Sequence, residues 1–545
     1  MRNGGDLVIE TLTMLGATTI FGIPGQHALG LFDALSHSEL RFISSRVENN
    51  AAFAADGYAR ATNEPGVLFV STGPGALTAL AGLQEAYASG VPMLVVSSQI
   101  PEEGLGGRRK GMLHQLDDQQ ESVRNVTKSQ ETVHKVSSIP YAIEDAWRTA
   151  LTAPQGPVWV EIPQDVLLKS ASVPHPGPID LQVHQPQPHA GSIAYAADRL
   201  AAAKRPAIVA GGGVRRSGTQ AAKYLLQLAE LIDAPVICTP GGNSAFPYNH
   251  RLSLGGWVED NYATEALEDA DVLLSVGTSL GEVSSNYYTM QPRGEVLQID
   301  AHVRVLESNY AGVGIRSDAS IALQKIVQAL EGVDAIATSN WHGQTPEQFV
   351  VDIRQRINDR LASQDLQHEL AIMCAIRNAI PDDAVTYWDM TIAGYWAWNM
   401  WDAQAGEMHS GQGAGGIGYA FPAALGGAVG QQQRVLAISG DGSAMYSITE
   451  LAAAKQHNIP VTWLIIDDGG YGILREYMRD TFGKASATEL ARPDFVMLAG
   501  SFGIPAVVAD AAGLEAALRT CWTADGPNVV VLQTTLAMWQ PTHQR

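Results

Sequence analysis

Short, almost uninterrupted apolar runs recur along the chain with room for a helix between them. The first group is "TTIFGI" (18–23), "LRFISS" (40–45), "GVLFVS" (66–71), "PMLVVS" (92–97) and "PVWVEI" (157–162). A second group follows: "PAIVAG" (206–211), "APVICT" (234–239), "DVLLSV" (271–276) and "EVLQID" (295–300). The third is "RVLAIS" (434–439), "VTWLII" (461–466) and "NVVVLQ" (528–533). A strand that is apolar on both sides must be covered on both faces, and intervening helices do this in parallel sheets. The expected fold class is therefore α/β, with three doubly wound parallel-sheet domains. "ASVPHPGPIDLQVHQPQPHA" (171–190) lacks apolar periodicity and reads as a linker, and a second break falls at 332–346. The units expected are 1–170, 190–331 and 347–545.

A formal net charge of −21 opposes binding to nucleic acid or an anionic membrane, both of which call for a basic face. The one basic cluster, "GGRRKG" (106–111), is short enough to be a loop. Cys238, Cys374 and Cys521 are widely separated and form no metal-type spacing, which fits a reducing compartment. "MRNGGDLVIETL" runs almost directly into an amphipathic helix, and no apolar stretch approaches membrane-spanning length. The expectation is a cytoplasmic protein with no membrane partner.

The densest chemical signal is "ISGDGSAMYSITELAAAKQHNIPVTWLIIDDGGYGILREYM" (438–478). One strand ends in Gly440-Asp441-Gly442, a helix follows, and the next strand ends at Asp467-Asp468-Gly469-Gly470. Parallel strands deliver both turns to the same sheet edge, where ligands of α/β sheets bind. Two carboxylates beside exposed backbone suit Mg²⁺, which keeps part of its shell for phosphate and water. Asp-Gly turns are also common without any ligand. In "SRVENNAAFAADGYAR" (45–60), Glu48 is the last charge before seven uncharged residues. An acid there is either a helix-start residue, stabilised by the helix dipole, or is placed against something buried. "GGGVRR" (211–216) follows a strand but is not GxGxxG, which opposes a nicotinamide site.

Together these segments resemble the thiamine-diphosphate enzymes of the acetolactate synthase and 2-oxo acid decarboxylase group. "FGIPG" (21–25), "ADGYARAT" (55–62), "STGPGALTAL" (71–80) and "GVPMLVV" (90–96) resemble the pyrimidine-binding domain. "GAGGIGYAFPAALG" (413–426) and the GDG segment resemble the diphosphate-binding domain, with a central domain between them. The resemblance implies thiamine diphosphate and Mg²⁺, with Asp441, Asp468 and the Gly470 carbonyl as metal ligands. Position 468 departs from the usual Asn. The cofactor-binding residues it implies are Pro24, Gly25, Gly73, Thr391, Gly415, Ile417, Gly440, Gly442, Ser443, Tyr471, Gly472 and Ile473. Ile417 would wedge the cofactor into its bent shape, and the Gly415 carbonyl would accept from the aminopyrimidine.

The same resemblance makes Glu48 the catalytic acid that bonds N1′ of the aminopyrimidine, an interaction that burial assists by raising the carboxyl pKa. His27, His114 and Gln115 would face the reacting centre. The implied activity is non-oxidative decarboxylation of a small-molecule 2-oxo acid. Either an aldehyde is released or the fragment passes to a second carbonyl, as in acetolactate synthesis. "GMLHQLDDQQ" (111–120) resembles the 5-guanidino-2-oxopentanoate decarboxylase branch, for which Asp117, Glu282 and Glu476 would supply negative charge. "SVGTSLGEVSSNYY" (275–288) lacks the "RFDDR"-like stretch of a flavin-binding middle domain, which opposes FAD. Val47 replaces a usual histidine, Leu474 stands where pyruvate decarboxylases carry glutamate, and Tyr395-Trp396 replace a Gln-His pair. That aromatic pair would either narrow the pocket or pack the core. Family precedent places each cofactor between two chains, so the chain should form a homodimer or homotetramer.

Overall fold

The structure, a computed structural model, describes residues 2–174, 177 and 179–543. Three positions of the Pro- and His-rich linker, 175, 176 and 178, lie outside it, as do 1, 544 and 545. The first sheet contains β1 (Thr19–Gly22), β2 (Arg41–Ser44), β3 (Gly66–Val70), β4 (Met93–Gln99), β5 (Gln130–Thr132) and β6 (Pro157–Pro163). Its order is β2-β1-β3-β4-β6-β5. The second contains β7 (Pro206–Ala210), β8 (Val236–Cys238), β9 (Val272–Val276), β10 (Glu295–Asp300) and β11 (Val313–Arg316), in the order β11-β10-β9-β7-β8. The third contains β12 (Val385–Trp388), β13 (Glu407–Ser410), β14 (Val435–Gly440), β15 (Val461–Asp467), β16 (Ala506–Ala509) and β17 (Asn528–Gln533). Its order is β13-β12-β14-β15-β17-β16. Every pairing within the three sheets is parallel, as the apolar runs require. We refer to the domains built on them as N-terminal, central and C-terminal.

The N- and C-terminal domains share one core. It forms where the helix Glu48–Thr62 lies against the helix Ala420–Gln431, with Phe53, Ala54, Tyr58, Phe421, Ala424 and Leu425 all buried. The backbones nearly touch. A Cβ on Gly57 would lie 2.0 Å from the Ala423 carbonyl oxygen, and one on Gly426 would lie 1.8 Å from that of Ala54. The small residues after Glu48 thus have a packing reason, because larger ones would hold the helices apart.

The central and C-terminal domains share a second apolar core, in which Val209, Leu254, Trp257 and Leu273 are buried with Trp388, Trp396 and Leu464, and charge adds to it. Arg215 Nη1 donates to the Met408 carbonyl at 2.8 Å and Nη2 to Glu407 at 2.8 Å. His409 Nε2 lies 3.1 Å from the same carboxylate. Burial lowers the pKa of the His409 ring to about 4, aided by the Arg215 charge. Burial acts to raise that of Glu407, but Arg215 and His409 outweigh it and bring it to about 2.

Both shifts act in one direction on acidification. A histidine with a depressed folded pKa costs stability as pH falls from its unfolded value, near 6.5, toward about 4. Glu407 adds a loss below its unfolded value of 4.5, extending toward about 2. From His409 alone the loss is roughly 3 kcal/mol, at ~1.4 kcal/mol per pH unit. The His409→Gln variant should lose less stability than wild type between pH 7 and 4.5 in urea titrations. Parallel stability–pH curves would contradict this account.

Candidate active site

Each predicted site residue of the first domain lies just beyond the carboxyl end of a strand. β1 leads to Pro24, Gly25 and His27, β2 to Glu48, β3 to Gly73, and β4 to the loop bearing His114 and Gln115. The structure draws them together. A Cβ on Gly75 would lie 3.3 Å from Glu48 Oε1, and one on Gly25 would lie 2.4 Å from Ser71 Cβ. Glu48 is half-buried at the first turn of its helix, and burial raises its carboxyl pKa. The His27 and His114 rings are 5.4 Å apart, and each has a buried Nδ1 without a hydrogen-bond partner. Burial, then the neighbouring His114, lowers the His27 pKa.

Gln115 is differently occupied. Its Oε1 accepts from the Gly111 and Met112 amides, and its Nε2 donates to the Gly104 and Arg109 carbonyls, so it braces its own loop. The Val47 side chain makes no capping hydrogen bond.

The third sheet presents a second cluster at its own carboxyl edge. Thr391 caps the helix Ile392–Met400, and the loop 411–418 follows β13. Asp441 opens the helix after β14, and Asp468 to Ile473 follow β15. Gly418 N donates to Ser443 Oγ at 2.8 Å, fixing the end of the loop that carries Gly415 and Ile417. Gly415 and Gly416 are exposed and Ile417 is half-buried. A Cβ on Gly440 would meet Thr391 Cγ2 at 3.2 Å, and one on Gly442 the Tyr471 ring at 2.7 Å. A Cβ on Gly472 would lie 2.0 Å from Asp468 Oδ2. Gly470 N donates to Asp468 Oδ1 at 3.3 Å.

Asp441 is fully buried, and neither of its oxygens has a hydrogen-bond partner. Burial, then the charge of Asp468, pushes its carboxyl up to about 7. Two adjoining carboxylates with unused lone pairs fit a divalent cation, and an Asp at 468 supplies the oxygen that Asn would. No group of three metal-ligating side chains occurs among the described residues, so other ligands would have to come from backbone, water or cofactor. Two arginines not anticipated from the sequence balance the added charge. Arg475 lies 3.9 Å from Asp468 and pairs with Glu489 at 2.9 Å, while Arg492 Nε is 2.7 Å from Asp467 and 3.4 Å from Asp441.

The other predicted residues have definite places. Trp396 is buried, donates to the Ala537 carbonyl at 2.9 Å and packs on Trp539, so it belongs to the core. Tyr395 packs edge-on against Trp398. Leu474 is exposed. Glu476 accepts from Met538 N, and Asp117 pairs with Lys110 on the surface. Glu259, buried in the same domain as Glu282, accepts from Tyr287 and Asn399.

A crevice of about 680 Å³ opens at the carboxyl edge of the central sheet, beside the β7–β9 boundary where the strand order reverses. Gly212, Arg216, Gly277, Ser279, Asp300 and Val283 are among its walls. Burial, then the charges of Arg60 and Arg215, lowers the Arg216 pKa to about 10. The crevice walls carry Lys128 and Arg216 together with Asp300 and Asp318.

Three family models match this chain. Residues 2–122 match the N-terminal TPP binding domain of thiamine pyrophosphate enzymes, 193–326 the central domain, and 389–532 the C-terminal TPP binding domain. The chain belongs to this family. Among similar proteins is a probable acetolactate synthase large subunit of Methanocaldococcus jannaschii, 30% identical over 92% of this chain and 87% of the relative. The probable 2-ketoarginine decarboxylase AruI of Pseudomonas aeruginosa is also 30% identical, over 92% and 88%. Acetolactate synthase isozyme 3 large subunit of Escherichia coli K12 is 29% identical, over 92% and 89%. Both decarboxylase and synthase names thus occur among its relatives. No helix among the described residues is long and apolar enough to cross a membrane.

The turn at Gly73 ties these observations to stability. Its φ is +67°, and a Cβ there would lie 2.4 Å from the His114 carbonyl oxygen. Gly73→Ala should cost roughly 1–3 kcal/mol, the scale of an unfavourable backbone conformation. Urea denaturation measures this, and an unchanged midpoint would refute the strained geometry.

Proposed function

We propose that this protein is a thiamine-diphosphate- and Mg²⁺-dependent decarboxylase of a 2-oxo acid that protonates the decarboxylated fragment and releases an aldehyde. The observation that carries the reading is the pair formed by buried Asp441 and half-buried Asp468, with Asp441 lacking any hydrogen-bond partner. Asp441, Asp468 and the Gly470 carbonyl would hold the cation. Gly440, Gly442, Ser443, Thr391, Tyr471, Gly472 and Ile473 would surround the diphosphate. Gly415 and Ile417 would face the middle of the cofactor, and Pro24, Gly25 and Gly73 the pyrimidine. When bound, thiamine diphosphate supplies the nucleophilic carbon and accepts the electrons left as CO₂ departs.

The chain's own residues manage protons and position. Glu48, with its pKa raised by burial, holds a proton at the pyrimidine nitrogen. His27, made less basic by burial, and His114 have open Nδ1 atoms from which a proton can move to the product carbon. Gln115 keeps the His114 loop in place through four hydrogen bonds.

The working unit would be a homodimer or homotetramer in the cytoplasm, with the cofactor between chains. Among the described residues, no hydrogen bond or ion pair joins His27, Glu48 or His114 to Asp441, Asp468 or the 411–418 loop. Leu77, Leu113, Met445 and Tyr446, adjacent in sequence to the two clusters, expose apolar surface that a second chain would cover.

Incubation with thiamine diphosphate, Mg²⁺ and a panel of 2-oxo acids should release CO₂ and yield aldehydes identifiable by mass spectrometry. Acetohydroxy acid products would replace this reading with carboligation, and absence of CO₂ from every substrate would reject both. In the same assay Glu48→Gln should lower kcat by about 10²–10⁴-fold, the range for a proton-transfer group. Full turnover by that variant would remove Glu48 from the mechanism.

A further inference from the structure

Two buried carboxylates reach across the boundary between the N- and C-terminal domains: Glu85 ends on two backbone amides, and Glu450 on one backbone and one side-chain amide, next to the candidate cofactor site. Glu85, from the N-terminal domain, is 1% exposed. Its Oε2 accepts from Ala414 N at 2.7 Å, and its Oε1 from Gly413 N at 3.1 Å. Oε1 also accepts from Arg60 at 2.9 Å and Ser89 at 2.8 Å. Gly413 and Ala414 lead directly into Gly415 and Ile417. The other end of that loop is secured within its own domain, by Ser443 at Gly418 and by Asp389 at Tyr419 and Ala420.

Glu450 does the converse. It comes from the C-terminal domain, nine residues after Asp441, and is fully buried. Its Oε1 accepts from Arg46 N at 2.9 Å and Asn50 Nδ2 at 3.2 Å, on either side of Glu48. Ser44 N and Arg46 are also tied to His457 and Gln456 of the same domain.

We infer that Glu85 and Glu450 are positioning residues for the cofactor site: Glu85 sets the height of the Gly415–Ile417 loop, and Glu450 sets the helix start that aims Glu48. This rests on the cofactor reading proposed above. A carboxylate shared by two amide donors is a strong acceptor, and each of these two is fully or almost fully buried where it meets the opposite domain. With the cofactor between two chains, Asp441 of one segment would serve one site while Glu450 of that segment steadies the Glu48 of the other.

The test uses the full chain with saturating Mg²⁺. Thiamine diphosphate affinity is read from intrinsic fluorescence, kcat and KM with the best 2-oxo acid, and local order from hydrogen exchange without cofactor. Glu85→Gln keeps the shape but turns a donor toward Ala414 N. It should weaken cofactor binding about tenfold or more, the scale of one lost charged hydrogen bond, leave the substrate KM unchanged and speed exchange only in 411–419. Ala414→Pro removes the donor instead and leaves the Arg60 and Ser89 bonds to Glu85, so it should reproduce the loss of affinity if Glu85→Gln fails to fold. Glu450→Gln should lower kcat about tenfold or more with cofactor affinity nearly intact, and speed exchange only around 44–50. Glu450→Asp should recover part of that kcat. Wild-type affinity, turnover and exchange in both Gln variants would overturn the inference, as would exchange raised evenly along the chain. If wild type itself shows no cofactor binding, the cofactor reading falls, while the exchange data still decide whether the two grips hold.

Discussion

The contact between the helices Glu48–Thr62 and Ala420–Gln431 is the constraint on which the arrangement of the first and third domains depends. Backbone approaches backbone at Gly57 and Gly426, so the interface tolerates no side chain at either position. Such closeness gives up large apolar side chains but gains dense packing and a fixed distance between domains. It also explains why buried polar groups gather at its ends. Asp56, Arg60, Glu85 and Tyr419 form one network at the carboxyl-terminal half of the first helix, and Glu450 and Asn50 meet at its start. Once the helices are locked, these groups have no water to turn to and must satisfy one another.

The fold was legible because strands covered on both faces are written as apolar runs. The strands without such a run show where this logic ends. β5 (QET), β11 (VGIR) and β13 (EMHS) all lie at sheet edges, where one side lacks a neighbour. All three carry charge. β12 (VTYW) is interior but hides its apolar character in aromatic residues and a threonine whose hydroxyl bonds Trp388 Nε1.

The site was legible in the residues that sit at strand ends, since a strand followed by a glycine turn announces its own position. Asp441 and Asp468 stand out locally as two acidic glycine turns, whereas Glu48 stands out only as an isolated acid and takes its expected role from the family resemblance. Partners brought in by tertiary packing were not legible. Arg492 lies 25 positions from Asp467, and Glu85 lies 328 positions from Gly413. Nothing in a local window distinguishes these charges from solvated ones. The run "NNAAFAADG" carried a mixed message: it reads as an apolar setting for Glu48, and the structure gives it a prior duty in helix packing.

That duty and the chemistry are compatible because they occupy different parts of one helix. Residues 50–59 of this helix are buried, with Phe53, Ala54 and Tyr58 in the core shared with the third domain. Its first turn projects beyond that contact, and there Glu48 remains half-buried. A rigid helix with an acid at its free end is a better proton-handling device than an acid on a loop, because its carboxyl group needs no reorganisation before each turnover. Asp441 follows the same plan, opening a helix directly from the buried strand β14. In both domains, the acids of the proposed site stand where a packed element ends, so their placement is set by the core.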